Sequence, residues 1–225
     1  MSGPERAERF ADLVDRARGL AGGRPRALLG LAGSPGAGKT TLALALVRAL
    51  AADPPPGSGA DWVAHVPMDG YHLADVELDR LGRRGRKGAP DTFDPAGYAA
   101  LLHRLRSAPP EVVYAPAFDR EIEQPVAGSI PVPPACRLVV TEGNYLLLDD
   151  PAWRAARAEL DAVWFVEADE ALRLDRLVRR HVDFGKPPAA AEAWVRGTDE
   201  PNARLVEAAR ERADLLVRVE DLPAA

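Results

Sequence analysis

The chain has one cysteine and two asparagines in 225 residues, and each scarcity closes off a class of protein. Cys136 cannot form an internal disulfide and has no second cysteine for a zinc site, which points to a reducing compartment and a cytoplasmic protein. No stretch approaches the ~18 uninterrupted apolar residues of a membrane span, and Glu5, Arg6, Glu8, Arg9 and Asp12 stand where a signal peptide would turn apolar. Positive charge is also short. With 29 Lys and Arg against 34 Asp and Glu, the formal net charge is -5, so neither nucleic acid nor an anionic membrane is expected as a partner. What the composition does supply is a core: 47% of residues are hydrophobic and 28% charged, enough for residues 1–225 to form one α/β domain.

Periodicity then places the elements. Phe10, Leu13, Val14, Ala17 and Leu20 recur at helical spacing, predicting an amphipathic helix over 4–20. Short apolar runs at 27–32, 62–68, 138–141, 163–166 and 215–219 read as strands, and helical patterns fall between them at 40–51, 73–81, 95–106, 170–182, 189–196 and 201–212. A further strand is expected at 112–115, followed by a loop or hairpin over the proline-rich 116–134. Strands alternating with helices predict a parallel, doubly wound α/β sheet that binds ligands at the carboxyl ends of its strands. The segment 82–94 begins glycine-rich and basic, has little periodic apolar pattern, and is read as a mobile loop.

One motif dominates the chemistry. Gly33-Ser34-Pro35-Gly36-Ala37-Gly38-Lys39-Thr40 fits Gly-x-x-x-x-Gly-Lys-Thr between a strand and a helix, the setting in which it forms a phosphate-binding P-loop. Gly33 turns the chain off the strand, while Gly36 and Gly38 let backbone approach a phosphate without a Cβ between them. Pro35 has no N–H, so the amides from Gly36 to Thr41 are the expected donors, at the positive end of the following helix. Lys39 supplies charge for the β- and γ-phosphates of ATP, and the Thr40 hydroxyl is placed to ligate Mg²⁺.

Two acids follow strands at the same sheet edge, Asp69 and Glu142. A carboxylate beside a γ-phosphate can take the proton of an attacking hydroxyl or hold the metal; Asp69 is the general-base candidate. The P-loop, Met68-Asp69-Gly70-Tyr71-His72, Ala89-Pro90-Asp91-Thr92-Phe93-Asp94 and Thr141-Glu142-Gly143-Asn144-Tyr145 together resemble the uridine kinase, phosphoribulokinase and bacterial pantothenate kinase group, in order from about residue 27 onward. The nearest likeness is to nucleoside kinase-like, pantothenate kinase-like and fructokinase-like members.

The resemblance implies a P-loop fold with a helical lid and a kinase that phosphorylates a hydroxyl of a small molecule, using ATP and Mg²⁺. It makes Asp69 the base, sets Glu142 near the metal, and lines the acceptor pocket with Asp91 and Phe93. Tyr71, His72 and Asn144 fall in its matched segments, and Phe118, Asp119 and Arg120 in a region where the group carries acceptor contacts.

Arg173, Arg176 and Arg180 share one face of the 170–182 helix, read either as a solvated surface or as part of a lid over 173–186. The resemblance favours the lid, with Arg176 and Arg180 meeting the phosphates. Asn202 is either an adenine contact or part of the turn that opens the last helix. A small hydroxylated acceptor is the partner expected, with a homodimer also compatible. A regulatory GTPase would need an Asn-Lys-x-Asp guanine reader, but Asn144 and Asn202 precede tyrosine and alanine. A nucleic-acid-linked ATPase usually carries an aspartate after the strand where this chain has Glu142 alone.

Overall fold

The computed structural model describes residues 4–218. Its centre is a parallel sheet of six strands: β1 (Glu5–Ala7), β2 (Ala27–Ala32), β3 (Val63–His65), β6 (Leu138–Glu142), β7 (Ala162–Val166) and β8 (Leu215–Val217), in the order β1-β8-β7-β2-β6-β3. The remaining strands, β4 (Val113–Asp119) and β5 (Gln124–Val132), form a separate antiparallel hairpin with a register shift between Ala115 and Ala117.

β2 is buried along its whole length because both faces of the sheet are covered. Leu29 and Leu31 face one hydrophobic cluster, with Leu13 and Ala17 of α1 (Phe10–Leu20) and Leu42, Leu46 and Leu50 of α2 (Lys39–Ala52). Leu28 and Ala32 face the other, with Tyr98, Leu102 and Leu105 of α4 (Pro95–Arg106), Trp153 of α5 (Pro151–Ala158) and Val206 of α8 (Glu200–Ala208). Each fully buried leucine contributes about 1.5–3 kcal/mol. Gly30 lies between Leu28 and Ala32 on the second face for want of room: a Cβ there would be 2.8 Å from Leu160 Cδ1.

Most predicted elements are present, and the differences have local causes. Residues 5–7 form a strand rather than the start of a helix, because backbone pairing of Glu5, Arg6 and Ala7 with Leu215, Leu216 and Val217 outweighs their helical tendency. The second strand stops at His65, before Pro67, and Met68–Tyr71 turns as a 3₁₀ helix. The segment at 73–81 shortens to α3 (Asp75–Arg80). α6 (Glu170–Asp183) matches its expectation, α7 spans Pro188–Trp194, and one π-helical turn, Val195–Asp199, joins α7 to α8. The last helix ends at Ala208, with a 3₁₀ turn at Arg210–Arg212. Val219, expected at the end of the final strand, lies outside the described residues.

The 82–94 segment, read from the sequence as mobile, is tied down at many points. Arg83 donates to the Asp91 carbonyl at 2.9 Å, Arg84 pairs with Asp75 and Asp79, Lys87 pairs with Asp75 at 2.7 Å, and the Gly88 amide donates to Thr92 Oγ1 at 2.9 Å. Charge pairing and caps replace the apolar contacts that the sequence lacks here.

Arg26 is 2% exposed and donates to carbonyls of two separate segments: Leu105 at 3.1 Å in one, Cys136 at 2.7 Å and Pro133 at 2.9 Å in the other. It fastens the start of β2 to the end of α4 and to the turn before β6. Arg26→Ala should lower the unfolding free energy by about 3 kcal/mol, since it strands buried acceptors. Urea unfolding with an unchanged m value would report it, and a loss below about 0.5 kcal/mol would show that these carbonyls are resolvated at no cost.

Candidate active site

The P-loop leaves β2 at Gly33, whose φ of 149° and lack of side chain let it pass the Val166 carbonyl; a Cβ there would lie 2.7 Å from that oxygen. Gly36 (φ 80°) meets α6: a Cβ would be 2.8 Å from Leu177 Cγ and 2.9 Å from the Arg173 carbonyl oxygen. Gly36 therefore admits the α6 helix as well as a phosphate. α2 begins at Lys39, so the amides of its first turn have no carbonyl within the helix and face the loop. The Ala37 amide closes the loop onto the Ser34 carbonyl at 3.0 Å, and the Ser34 hydroxyl turns away to Glu207 at 2.6 Å. The Ala37 amide and the Ser34 carbonyl are thus committed to the loop's own shape, and the Ser34 hydroxyl ties the loop to α8.

Lys39 is buried, and its ammonium donates to Asn144 Oδ1 at 2.7 Å and to the Ser34 carbonyl at 3.0 Å. Burial pushes its pKa down to about 8, opposed by the carboxylates of Glu142 and Asp69. The Thr40 hydroxyl donates to Glu142 Oε1 at 2.9 Å. Burial, then the neighbouring Asp69 charge, push the Glu142 carboxyl up, while Lys39 pulls it back. Two acids crowded beside one lysine leave negative charge that a cation would relieve. Thr40 and Glu142 offer the hard oxygen donors that suit Mg²⁺, which completes its shell from phosphates and water; among the described residues no group of three or more His, Cys, Asp or Glu forms a cage without them.

These groups open into a cavity of about 510 Å³ that also contains Asp69, His72, Lys87, Phe93, Phe118, Arg120 and Arg180. Arg120 Nη2 approaches Asp69 Oδ2 at 3.6 Å. His72 is wedged between Phe93 and Phe118, with ring centroids at 4.0 and 4.6 Å. Burial lowers its pKa, leaving a neutral ring whose Nδ1 proton goes to the Asp69 carbonyl at 2.7 Å. That tautomer leaves Nε2 as an acceptor. Arg180 reaches the cavity from α6, and burial, followed by the nearby Arg120 charge, lowers its pKa.

Other expected residues sit elsewhere. Tyr71 packs on Tyr98 with centroids 5.4 Å apart, and burial pushes its hydroxyl up to about 12. Asp91 is engaged by Arg83 and Arg86, and Asp119 caps its own turn through the amides of Glu121 and Ile122; none of these three lines the cavity. Arg173 is buried in α6 against Glu200 and the Pro35 carbonyl, and does not line the cavity. Arg176 is exposed beside Gly38, its Nη1 3.8 Å from where a Cβ would be. Asn202 is buried, and its amide donates to the Gly88 carbonyl at 3.3 Å. The sequence reading missed His181, Lys186, Trp194 and Asp199, all at the cavity wall; no local motif marks them, since the groups meet only across the fold.

A P-loop at the carboxyl end of a doubly wound parallel sheet, with a buried lysine and paired acids facing an aromatic-walled cavity, defines the P-loop kinase class. Comparisons with known proteins place it further. No family model matches the chain. A candidate uridine kinase of Schizosaccharomyces pombe is 35% identical over 188 residues, covering 82% of this chain and 78% of that protein. An ATP-dependent kinase-like protein of Aspergillus versicolor is 41% identical over 145 residues, covering 60% of this chain and 84% of that protein. The crystal structure of a candidate fructose transport system kinase from Silicibacter sp. TM1040 superposes with a TM-score of 0.83 at 40% identity, covering 93% of this chain and 99% of that one. The chain belongs to the uridine kinase-like family of P-loop kinases, and the GTPase and nucleic-acid ATPase readings are not favoured. Among the described residues no helix is long and apolar enough to cross a membrane.

The burial of Lys39 has a measurable cost. Its pKa is about 8 in the folded chain against 10.5 ordinarily, so the unfolded state binds more protons between those values. The penalty is full below pH 8 and is relieved as pH rises toward 10.5. Lys39→Met should therefore raise the stability of the nucleotide-free protein at pH 7 by more than about 1 kcal/mol, with the gain shrinking at pH 10. Paired denaturation curves at the two pH values test this; an equal gain at both would remove Lys39 desolvation as its source.

Proposed function

We propose that the protein transfers the γ-phosphate of ATP to a hydroxyl of a small molecule: a nucleoside, a pantothenate-like compound or a sugar. The observation that carries this reading is that one cavity holds both halves of the reaction, the P-loop with Lys39 on one side and Asp69 among aromatic walls on the other. Its volume suits a small molecule beside the end of a triphosphate. The sugar option gains support from the fructose transport kinase likeness.

In this mechanism the P-loop amides and Lys39 bind the phosphates, and Thr40 and Glu142 hold Mg²⁺, which when bound neutralises phosphate charge. Asp69 accepts the proton from the acceptor hydroxyl as its oxygen bonds to the γ-phosphorus and the bond to the ADP oxygen breaks. Neutral His72 accepts a hydrogen bond from a neighbouring substrate hydroxyl through Nε2, and Phe93 and Phe118 exclude water. Arg120 orients Asp69 and meets negative charge on the acceptor side. Arg180, on the lid of residues 173–186, stabilises charge on the transferring phosphoryl, and Arg176 reaches nucleotide outside the loop. Asn144 holds Lys39 in line. Nothing in this scheme calls on nucleic acid.

An ATP-consumption screen against nucleosides, pantothenate, fructose and other small alcohols tests the reading. With the acceptor so found, Asp69→Asn should lower transfer by about 10²–10⁴-fold while ATP still binds. Arg180→Ala should lower kcat by about 10²-fold with little change in KM for ATP. Near-normal transfer by Asp69→Asn would remove it as the base, and an Arg180→Ala defect confined to ATP affinity would remove that arginine from the transition state.

A further inference from the structure

Residues at the junction of α7 and α8 touch two walls of the cavity. From the lid side, His181 Nε2 meets Asp199 Oδ2 at 2.8 Å, with the side chains only 15% and 11% exposed. Lys186 lies over the Trp194 ring at 5.1 Å. From the acceptor side, the Gly88 carbonyl receives the Asn202 amide at 3.3 Å and also the Tyr145 hydroxyl. Gly88 has a φ of 101°, which fixes how the chain reverses beside Lys87. Lys87 in turn stands over the Phe118 ring at 5.2 Å and pairs with Asp75.

Asp199 and Asn202 are three residues apart, so they share one helix face. Asp199 ends the π-helical turn Val195–Asp199, a form that inserts an extra residue and recurs at functional positions. Both residues are buried.

We infer that Asp199 and Asn202 are positioning residues that couple the acceptor-side loop to the lid: one holds His181 beside Arg180, the other holds Gly88 beside Lys87, and the turn between them makes the two walls move as a unit. Order imposed on the acceptor loop is thereby passed to the residue next to Arg180. In a kinase, such a link would favour lid closure when the acceptor is seated over closure on ATP and water alone. This consequence depends on the phosphotransfer reading above, whereas the coupling itself can be measured without turnover.

Hydrogen–deuterium exchange on the full chain, with and without Mg²⁺ and a non-hydrolysable ATP analogue, reads it directly. Asn202→Ala, which touches only the loop, should speed exchange about fivefold both in residues 82–93 and in residues 180–187, the effect of removing about one hydrogen bond. His181→Ala, which touches only the lid side, should loosen the same two segments. If Asn202→Ala does not fold, His181→Ala reports the same coupling from the other end. Exchange that rises only in the segment each variant touches would overturn the inference and leave the kinase reading intact; absence of phosphotransfer with coupled exchange would do the reverse.

Discussion

A lysine ammonium held away from water needs fixed partners, and the site around Lys39 is arranged to provide them. Asn144 and the Ser34 carbonyl accept its protons, and Glu142 and Asp69 supply opposing charge, yet burial still pulls its pKa down to about 8. The residual cost is one that a bound phosphate would offset. Glu142 shows the complementary imbalance, since burial and Asp69 raise its carboxyl. Triphosphate and cation together would relieve both.

The sheet order brings these groups together. β6 and β7 lie on opposite sides of β2, so the loop leaving β2 stands where successive connections diverge. Glu142 ends β6 and Asp69 follows β3 on one side, while the helix after β7 brings Arg180 from the other. Gly36 completes the arrangement by letting α6 pack against the loop itself, which ties that helix to the P-loop.

What could be read from residues alone was whatever depends on contiguous pattern. The strand, glycine loop and helix around Lys39 were legible because turn chemistry and hydrophobic runs are local, and so were Asp69 and Glu142 as strand-end acids. β1 was not legible, because Glu5-Arg6-Ala7 becomes a strand only through its pairing with β8. Helical spacing put Arg173 beside Arg176 and Arg180, but it could not show that Glu200 and Pro35 draw Arg173 inward. The basic 82–94 segment lacked apolar periodicity, and its order comes from ion pairs and caps with distant residues. For Asn202 the residues alone left two readings, an adenine contact or the turn that opens the last helix; its hydrogen bond to the Gly88 carbonyl joins segments far apart in the chain and has no local signal.

Phosphotransfer at this site requires one cavity to seat the γ-phosphate between Lys39 and Asp69. A crystal structure with Mg²⁺ and a non-hydrolysable ATP analogue tests it most directly. The expected result is the γ-phosphate against the Lys39 ammonium, the metal on Thr40, and the open face of the phosphorus toward Asp69. A γ-phosphate turned away from Asp69, or a nucleotide seated in the separate cleft beside Arg204 and Glu207, would contradict it.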